Sequence, residues 1–357
     1  MSPRFHKLKI KDIRKETEDC VSIAFEVPHE LTSDYQYLAG QYLTLKTMID
    51  EEDVRRSYSL CSAPFENEWR VAIKQVEDGK FSTFANKNLN IGDSIEVMTP
   101  MGNFALKSDE NAKKSYALFA AGSGVTPILS IAKEVLKSEP NSTITLFYGN
   151  KGFNDVIFRE DLEELKNCNL TKLSIVHVFS RESLGNKLQK GRIDKAKTKD
   201  LYNAFLKHNA IDEAFICGPE QMILDVKAAL EELGVDSKKV HFELFTSGTK
   251  TNSKKPEAES NLPTFESNVQ VILDDDTFEF NLDSNGLTIL DAAQKAGGDL
   301  PYACKGGVCC TCKARVLEGS VRMVINYALT PEEVEAGYVL TCQAHPTSEK
   351  VVVSFDE

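Results

Sequence analysis

Up to about residue 108 apolar and polar positions alternate in short runs separated by turn residues: HKLKIKDI, CVSIAFEV, QYLTLKTM, RSYSLCSA, WRVAIKQV and DSIEVMTP. Period-two alternation places every second side chain on one face, so these runs predict half-buried strands. Short strands at this spacing predict a closed antiparallel barrel or a sandwich. From Ser115 the rhythm becomes strand then helix. YALFAAG, TITLFYGN, KLSIVHVFS, EAFICGP and VHFELF alternate with the helix-length segments PILSIAKEVLKSE, REDLEELKN, LYNAFLKHN and QMILDVKAALEELG. Such alternation predicts a parallel sheet with helices on both faces. The stretch 246–265 is polar, holds two Pro and a Gly, and has almost nothing to bury, which predicts a flexible linker. Beyond it, NVQVILDD and TFEFNLD predict a hairpin, TILDAAQKAG a helix and KVVVSF a strand. The expected domains are therefore 1–108, 109–245 and 266–357, with 246–265 between the last two.

Composition narrows the function. With 357 residues, 41% hydrophobic and 27% charged, the chain has room for two or three globular domains. Its richest apolar stretch, 116–132, is broken by two Gly and a Pro, so no membrane helix is expected. The N-terminus alternates apolar and basic residues without a cleavable apolar core, which predicts a cytoplasmic chain with reduced thiols. An odd count of nine cysteines fits paired bridges poorly and points to metal binding or redox chemistry. The net charge of −12 argues against nucleic acid. From residue 266 onward, 15 Asp and Glu face 6 Lys and Arg, a net of −9, leaving −3 for everything before. So acidic a unit suggests steering toward a basic partner, with simple solubility as the plainer explanation.

Four of the nine cysteines fall within PYACKGGVCCTC. Cys304, Cys309, Cys312 and Cys342 are spaced C-x4-C-x2-C, then 29 residues, then C, which is the plant-type [2Fe-2S] ligand spacing. Two bridged irons need four thiolates converging on a short loop. Gly306 and Gly307 let that loop wrap closely and aim N–H groups at sulfur. A structural zinc site is the competing reading, but it usually shows two C-x2-C pairs and here there is one. Cys310 falls outside the pattern and is expected to pack as a small residue. Cys20, Cys61 and Cys168 are expected to be ordinary strand or helix-end residues.

Residues 266–357 resemble plant-type ferredoxins, including Tyr302 before the first ligand and VLTCQAHP around the last. The resemblance implies an α+β β-grasp domain. A ferredoxin moves single electrons whereas a nicotinamide gives two as a hydride, and a flavin joins the two. RRSYSL offers Arg56 for a phosphate, Tyr58 to stack on a flat ring and Ser59 to hydrogen-bond near flavin N5. With Ser57 it resembles the R-x-Y-S motif of the ferredoxin–NADP reductase superfamily. GKFST (Gly79, Phe81, Ser82, Thr83) is similar to the second flavin motif of that family, in which a helix N-terminus receives a pyrophosphate. FAD is therefore expected rather than FMN, with an ordinary helix cap as the alternative for Ser82 and Thr83.

AAGSGVTP carries Gly122, Gly124, Thr126 and Pro127 between a strand and a helix, leaving room for a phosphate. It departs from the dehydrogenase fingerprint and resembles the nucleotide half of the reductases. No acid ends the second strand, as one would for a ribose hydroxyl. Ser180 and Arg181 end the third, where they suit a 2′-phosphate, so NADPH is expected as electron donor. In ICGPEQM the resemblance places Cys217 near the nicotinamide, with Gly218 and Pro219 beside it, and Phe245 is expected to shield the flavin. The order of FAD barrel, NADP domain, linker and ferredoxin is similar to that of reductase components of multicomponent oxygenases. This implies an oxygenase partner, expected to be a di-iron monooxygenase component met transiently through the acidic ferredoxin domain. A Rieske-type hydroxylase of steroids or aromatic acids is the alternative acceptor. A redox-sensing flavin and iron–sulfur protein without an acceptor stays open.

Overall fold

The computed structural model describes residues 4–208, 210–245 and 264–356. The expected linker therefore lies almost wholly outside the described residues. The chain forms two compact units, one holding most of residues 6–245 and one holding the C-terminal part.

The first unit begins with β1 (Phe5–Thr17), β2 (Cys20–Glu26), β3 (Tyr42–Ile49), β4 (Glu52–Ser59), β5 (Trp69–Lys74) and β6 (Ser94–Met98). A helix, α1 (Lys80–Lys87), is inserted before β6. The sheet order is β4-β3-β6-β1-β2-β5. Its two edges meet where Leu60 bridges Val71, so the sheet closes into the expected antiparallel barrel. Leu8, Ile10, Ile23, Phe25, Leu43 and Ile73 fill its interior. β4 begins at Glu52 rather than at Arg56, because Asp50 and Glu51 adopt φ of 51° and 63° and fold β3 straight back into β4. A primed two-residue turn requires such values, and no glycine there advertises it.

The parallel sheet is built from β7 (Ser115–Ala121), β8 (Thr143–Asn150), β9 (Leu173–Phe179), β10 (Glu213–Gly218) and β11 (Val240–Leu244). The connecting helices are α2 (Val125–Ser138), α3 (Arg159–Cys168), α4 (Lys195–Phe205) and α5 (Glu220–Glu232). Strand order is β11-β10-β7-β8-β9. The chain builds outward from β7 to β9, then returns to place β10 on the other side of β7. Ligands of such sheets bind beyond the strand carboxyl ends at this reversal. α4 starts at Lys195, ahead of the expected LYNAFLKHN, because Asp194 caps it by accepting from the Lys197 amide at 2.8 Å.

Barrel and parallel sheet share one core. Cys20, Ala39, Cys61 and Phe104 pack in the same cluster as Leu118, Ile128, Ile131 and Phe215. Phe104 and Phe215 meet edge to face at 5.4 Å between ring centroids. The buried hydroxyl of Ser130 on α2 donates to the Ser62 carbonyl at 2.6 Å.

The C-terminal unit contains β12 (Glu266–Leu273), β13 (Asp276–Asp283), β14 (Lys313–Glu318), β15 (Val321–Met323), β16 (Tyr338–Leu340), β17 (Ala344–Pro346) and β18 (Lys350–Ser354). Its helices are α6 (Ile289–Lys295) and α7 (Pro331–Glu335). The mixed sheet runs β13-β12-β18-β14-β16, with β12 and β18 parallel, and packs against α6 in the β-grasp manner. Among the described residues no helix is long and apolar enough to cross a membrane.

Arg70 on β5 ties the barrel wall together. It is 4% exposed and reaches Asp12 at 2.5 Å, Glu68 at 2.9 Å and the Ser22 hydroxyl at 2.9 Å. Removing one member of such a pair strands the other charges. Arg70→Met is expected to cost about 2–3 kcal/mol in urea-induced unfolding, somewhat less than for a fully enclosed pair because both carboxylates keep some water.

Candidate flavin, nucleotide and iron–sulfur sites

On β4 the alternation of the strand turns Ser59 inward while Arg56 stays exposed. Arg56 donates to its neighbour's carbonyl, Arg55 O, at 2.7 Å. Tyr58 is half-buried and lies against Phe81 of α1, ring centroids 5.6 Å apart. Phe81 itself is buried, and the two rings are tilted by 40°. Gly79 opens α1 with no room for a side chain, since a Cβ there would meet the Ser82 hydroxyl at 2.4 Å. The Ser82 hydroxyl is already engaged, accepting from the Val76 amide and donating to the Gly79 carbonyl, each at 3.2 Å. It therefore shapes the turn, and the Thr83 hydroxyl lies 3.5 Å from Gln75 Nε2. Arg56, Ser57, Tyr58 and the amides opening α1 suit a flavin dinucleotide: a cation, an aromatic face and a helix N-terminus on one barrel.

At the reversal of the parallel sheet, Gly122 adopts φ of 54° and has open space where a Cβ would stand. Gly124 is the opposite case. A Cβ there would lie 2.2 Å from the Cys217 carbonyl, so only glycine lets the turn seat against the end of β10. This contact brings Gly122 and Gly124 together with Cys217 and Gly218. Thr126 donates to the Ser123 carbonyl at 3.0 Å and Pro127 is buried in the first turn of α2. Ser180 is held on Asn150, its amide at 2.9 Å and its hydroxyl at 3.3 Å from the Asn150 carbonyl. Arg181 beside it is exposed. The open cradle over Gly122, at the mouth of α2, suits the phosphates of a dinucleotide.

One candidate site residue was not anticipated from sequence. Glu243 on β11 stands beside Cys217 in parallel register, and Ser59 Oγ donates to Glu243 Oε2 at 2.8 Å. The residue keeps some surface while its carboxyl group is enclosed, and this burial pushes the acid up to about 8, with the Ser59 bond opposing. Cys217 is fully buried, and burial followed by the Glu243 charge pushes its thiol upward. It is held as a neutral thiol, unsuited to nucleophilic chemistry. Phe245, just past β11, packs against the shared core. The signal for Glu243 was an acid inside the apolar run FELF.

In the C-terminal unit the four thiols converge. Cys309 Sγ lies 3.1 Å from Cys304 Sγ, and Cys342 adjoins both Cys304 and Cys312. Hydrogen bonds from the Cys309 and Cys342 thiols hold Cys304 far below the ordinary thiol range, while Cys342 is pushed up as their counterpart. The Gly306 amide points at Cys304 Sγ from 3.3 Å. Gly307, at φ of 72°, leaves no room for a side chain under Ile325. Three thiols on a backbone-wrapped loop, joined by Cys342 from the turn between β16 and β17, suit a thiolate-bound [2Fe-2S] cluster. Cys310 is buried, with its Sγ 3.6 Å from the Ala328 carbonyl. Cys20 and Cys61 are buried, whereas Cys168 is exposed at the end of α3.

These sites define a flavin-dependent nicotinamide oxidoreductase with its own iron–sulfur domain. Residues 7–106 match the oxidoreductase FAD-binding domain, 118–228 the oxidoreductase NAD-binding domain and 271–347 the 2Fe-2S iron-sulfur cluster binding domain. The chain belongs to the ferredoxin–NADP reductase-type oxidoreductases that end in a [2Fe-2S] ferredoxin domain. It is 42% identical to a subunit of the 1,2-phenylacetyl-CoA epoxidase of Escherichia coli (strain K12), covering 99% of this chain and 98% of that protein. It is 34% identical to the ferredoxin reductase component of 3-ketosteroid-9-alpha-monooxygenase of Rhodococcus rhodochrous, covering 98% and 96%. Its fold is that of phthalate dioxygenase reductase, with a TM-score of 0.58 at 23% identity and 98% of each chain covered.

Glu243 gives a pH signature. Its ordinary value is near 4.5 and its folded value about 8. Between the two, the folded chain binds more protons than the unfolded one, so stability falls as pH rises through that window. Glu243→Gln removes the ionising group. Melting temperatures measured across that range are expected to fall less steeply with pH in the variant than in the wild type.

Proposed function

We infer that this chain is the reductase component of a multicomponent oxygenase, carrying electrons from NADPH through FAD and a [2Fe-2S] cluster to a di-iron oxygenase acting on phenylacetyl-CoA. What supports this most is the meeting of Ser59, Cys217 and Glu243 at the sheet reversal, in the same chain as four converging thiols. FAD supplies the exchange of a hydride for single electrons, which no side chain here can perform. The chain's own residues do the rest. Arg56 and the α1 amides hold phosphates of the flavin, and Tyr58 stacks along its ring. Ser59, whose hydroxyl donates to Glu243, would place its oxygen near the reacting edge of the flavin. Glu243 keeps a proton at its carboxyl near neutral pH, so that no full negative charge stands beside Cys217. Cys217 packs as a small neutral thiol where the nicotinamide rests, and Phe245 covers that position when it is empty. Gly122, Gly124, Thr126, Pro127, Gly218 and Pro219 shape the nucleotide cradle, and Arg181 with Ser180 reads the 2′-phosphate. Cys304, Cys309, Cys312 and Cys342 hold the cluster.

The acidic ferredoxin unit suits a basic face on the oxygenase, encountered transiently in the cytoplasm. Residues 1–108, 109–245 and 266–357 serve as flavin, nucleotide and ferredoxin domains.

A second reading shares the electron path and differs in its acceptor. The resemblance to a steroid monooxygenase reductase supports a Rieske-type hydroxylase instead. Mixing the purified reductase with each oxygenase and measuring NADPH oxidation against product separates the two. Coupled turnover is expected with the phenylacetyl-CoA oxygenase, and its absence there with coupling to the hydroxylase would reverse the choice.

The nucleotide preference is tested separately. A charged hydrogen bond contributes about 1.5–3 kcal/mol, so Arg181→Ala is expected to lower kcat/KM for NADPH roughly 10–100-fold while leaving NADH nearly unchanged. Dye reduction with the two nucleotides in parallel measures both.

A further inference from the structure

Lys305 follows the first cluster ligand and adopts φ of 51°, a left-handed conformation that is unfavourable for a residue carrying a side chain. Such a conformation persists only when its surroundings impose it, and three elements do so here. The Lys305 ammonium donates to Asp291 Oδ1 at 2.8 Å and to Gln294 Oε1 at 2.6 Å, both on α6. The same ammonium lies 4.7 Å from the centre of the Tyr302 ring. Its backbone carbonyl accepts from Gln343 Nε2 at 3.0 Å, and Gln343 directly follows the last ligand, whose sulfur lies 3.8 Å from the same nitrogen. The ion pair is about 40% exposed at each end and would count for little alone. Acting together, these contacts fix both the side chain and the carbonyl of one strained residue.

We propose that Lys305 is a positioning residue for the cluster, locking the turn after Cys304 so that the Gly306 amide points at the Cys304 sulfur. The consequence follows from charge. Reduction adds an electron to the cluster, and an N–H aimed at a ligand sulfur favours that more negative state. Freeing the turn lowers the reduction potential and loosens the grip on the iron. The clamp rests on the four-thiolate reading of the cluster and acts on both the first ligand and the last.

The test uses the full-length chain with its cluster. The reduced-cluster paramagnetic resonance signal is followed as potential is stepped, and cluster loss to a ferrous chelator is followed by visible circular dichroism. Lys305→Met keeps a side chain that disfavours the left-handed conformation and removes the tether that imposes it, so the turn relaxes. It is expected to lower the reduced-to-oxidised ratio at the wild-type midpoint about tenfold, equivalent to 59 mV for one electron, and to speed cluster loss. Lys305→Gly adopts the left-handed turn freely and is expected to lie nearer the wild type in both readings. Lys305→Met behaving as wild type would overturn the proposal. So would equal shifts in the Met and Gly variants, since charge alone would then explain them. Wild-type protein that takes up no iron and sulfide would instead overturn the four-thiolate reading beneath it.

Discussion

The core shared by the barrel and the parallel sheet is the constraint on which the catalytic geometry depends. The proposed flavin residues come from β4 and α1, whereas the proposed nucleotide residues come from the ends of β7 and β10. Neither set is useful unless the two bodies are held in one fixed relation. Phe104 wedged on Phe215 and Ser130 bonded to the Ser62 carbonyl supply that relation. Its product is the 2.8 Å bond between Ser59 and Glu243, made by residues 184 positions apart. A hydrogen bond of this length tolerates little sliding, so it reports directly on how well the two bodies are seated.

Close backbone approach recurs wherever a cofactor is expected. Gly124 lies on the Cys217 carbonyl, and Gly307 lies under Ile325. In both places a methyl group would push apart elements that must touch. The chain gives up conformational freedom at these positions and recovers rigidity from neighbouring hydrogen bonds, as around Lys305. Charge is controlled by enclosure in the same way: burial pushes the Cys217 thiol up, and burial likewise pushes up the Glu243 carboxyl beside it.

Much of this was legible in the sequence because the chemistry requires fixed spacing. Three thiolates on one loop produce C-x4-C-x2-C, with the fourth at Cys342, and a phosphate against a helix produces the glycines of AAGSGVTP. Strand and helix rhythm pointed to the barrel and the parallel sheet because burial imposes period two or a run of helical length, whereas the β-grasp domain was implied by the resemblance to plant-type ferredoxins. The misses have physical causes. Glu243 is a single acid inside the run FELF, a faint signal, and its neighbours in space, Ser59 and Cys217, are what single it out. The start of β4 was hidden because two acids, rather than Asn-Gly, make the hairpin turn. α7 carries a capping box at Thr330 and Glu333 with Pro331 at its first position, a readable signal in a segment dominated by the adjacent cysteines. Nothing in the sequence marks Lys305 as left-handed, since the contacts that hold it come from Asp291, Gln294 and Gln343.

The central claim is that one polypeptide carries electrons from a nicotinamide through a flavin to an iron–sulfur cluster bound by Cys304, Cys309, Cys312 and Cys342. Metal and acid-labile sulfide analysis of the purified chain, combined with paramagnetic resonance on adding NADPH, tests it most directly. Iron and sulfide in equal amounts, with a reduced-cluster signal that appears as the flavin absorbance bleaches, are predicted. Zinc in place of iron, or a bleached flavin with no cluster signal, would contradict the account.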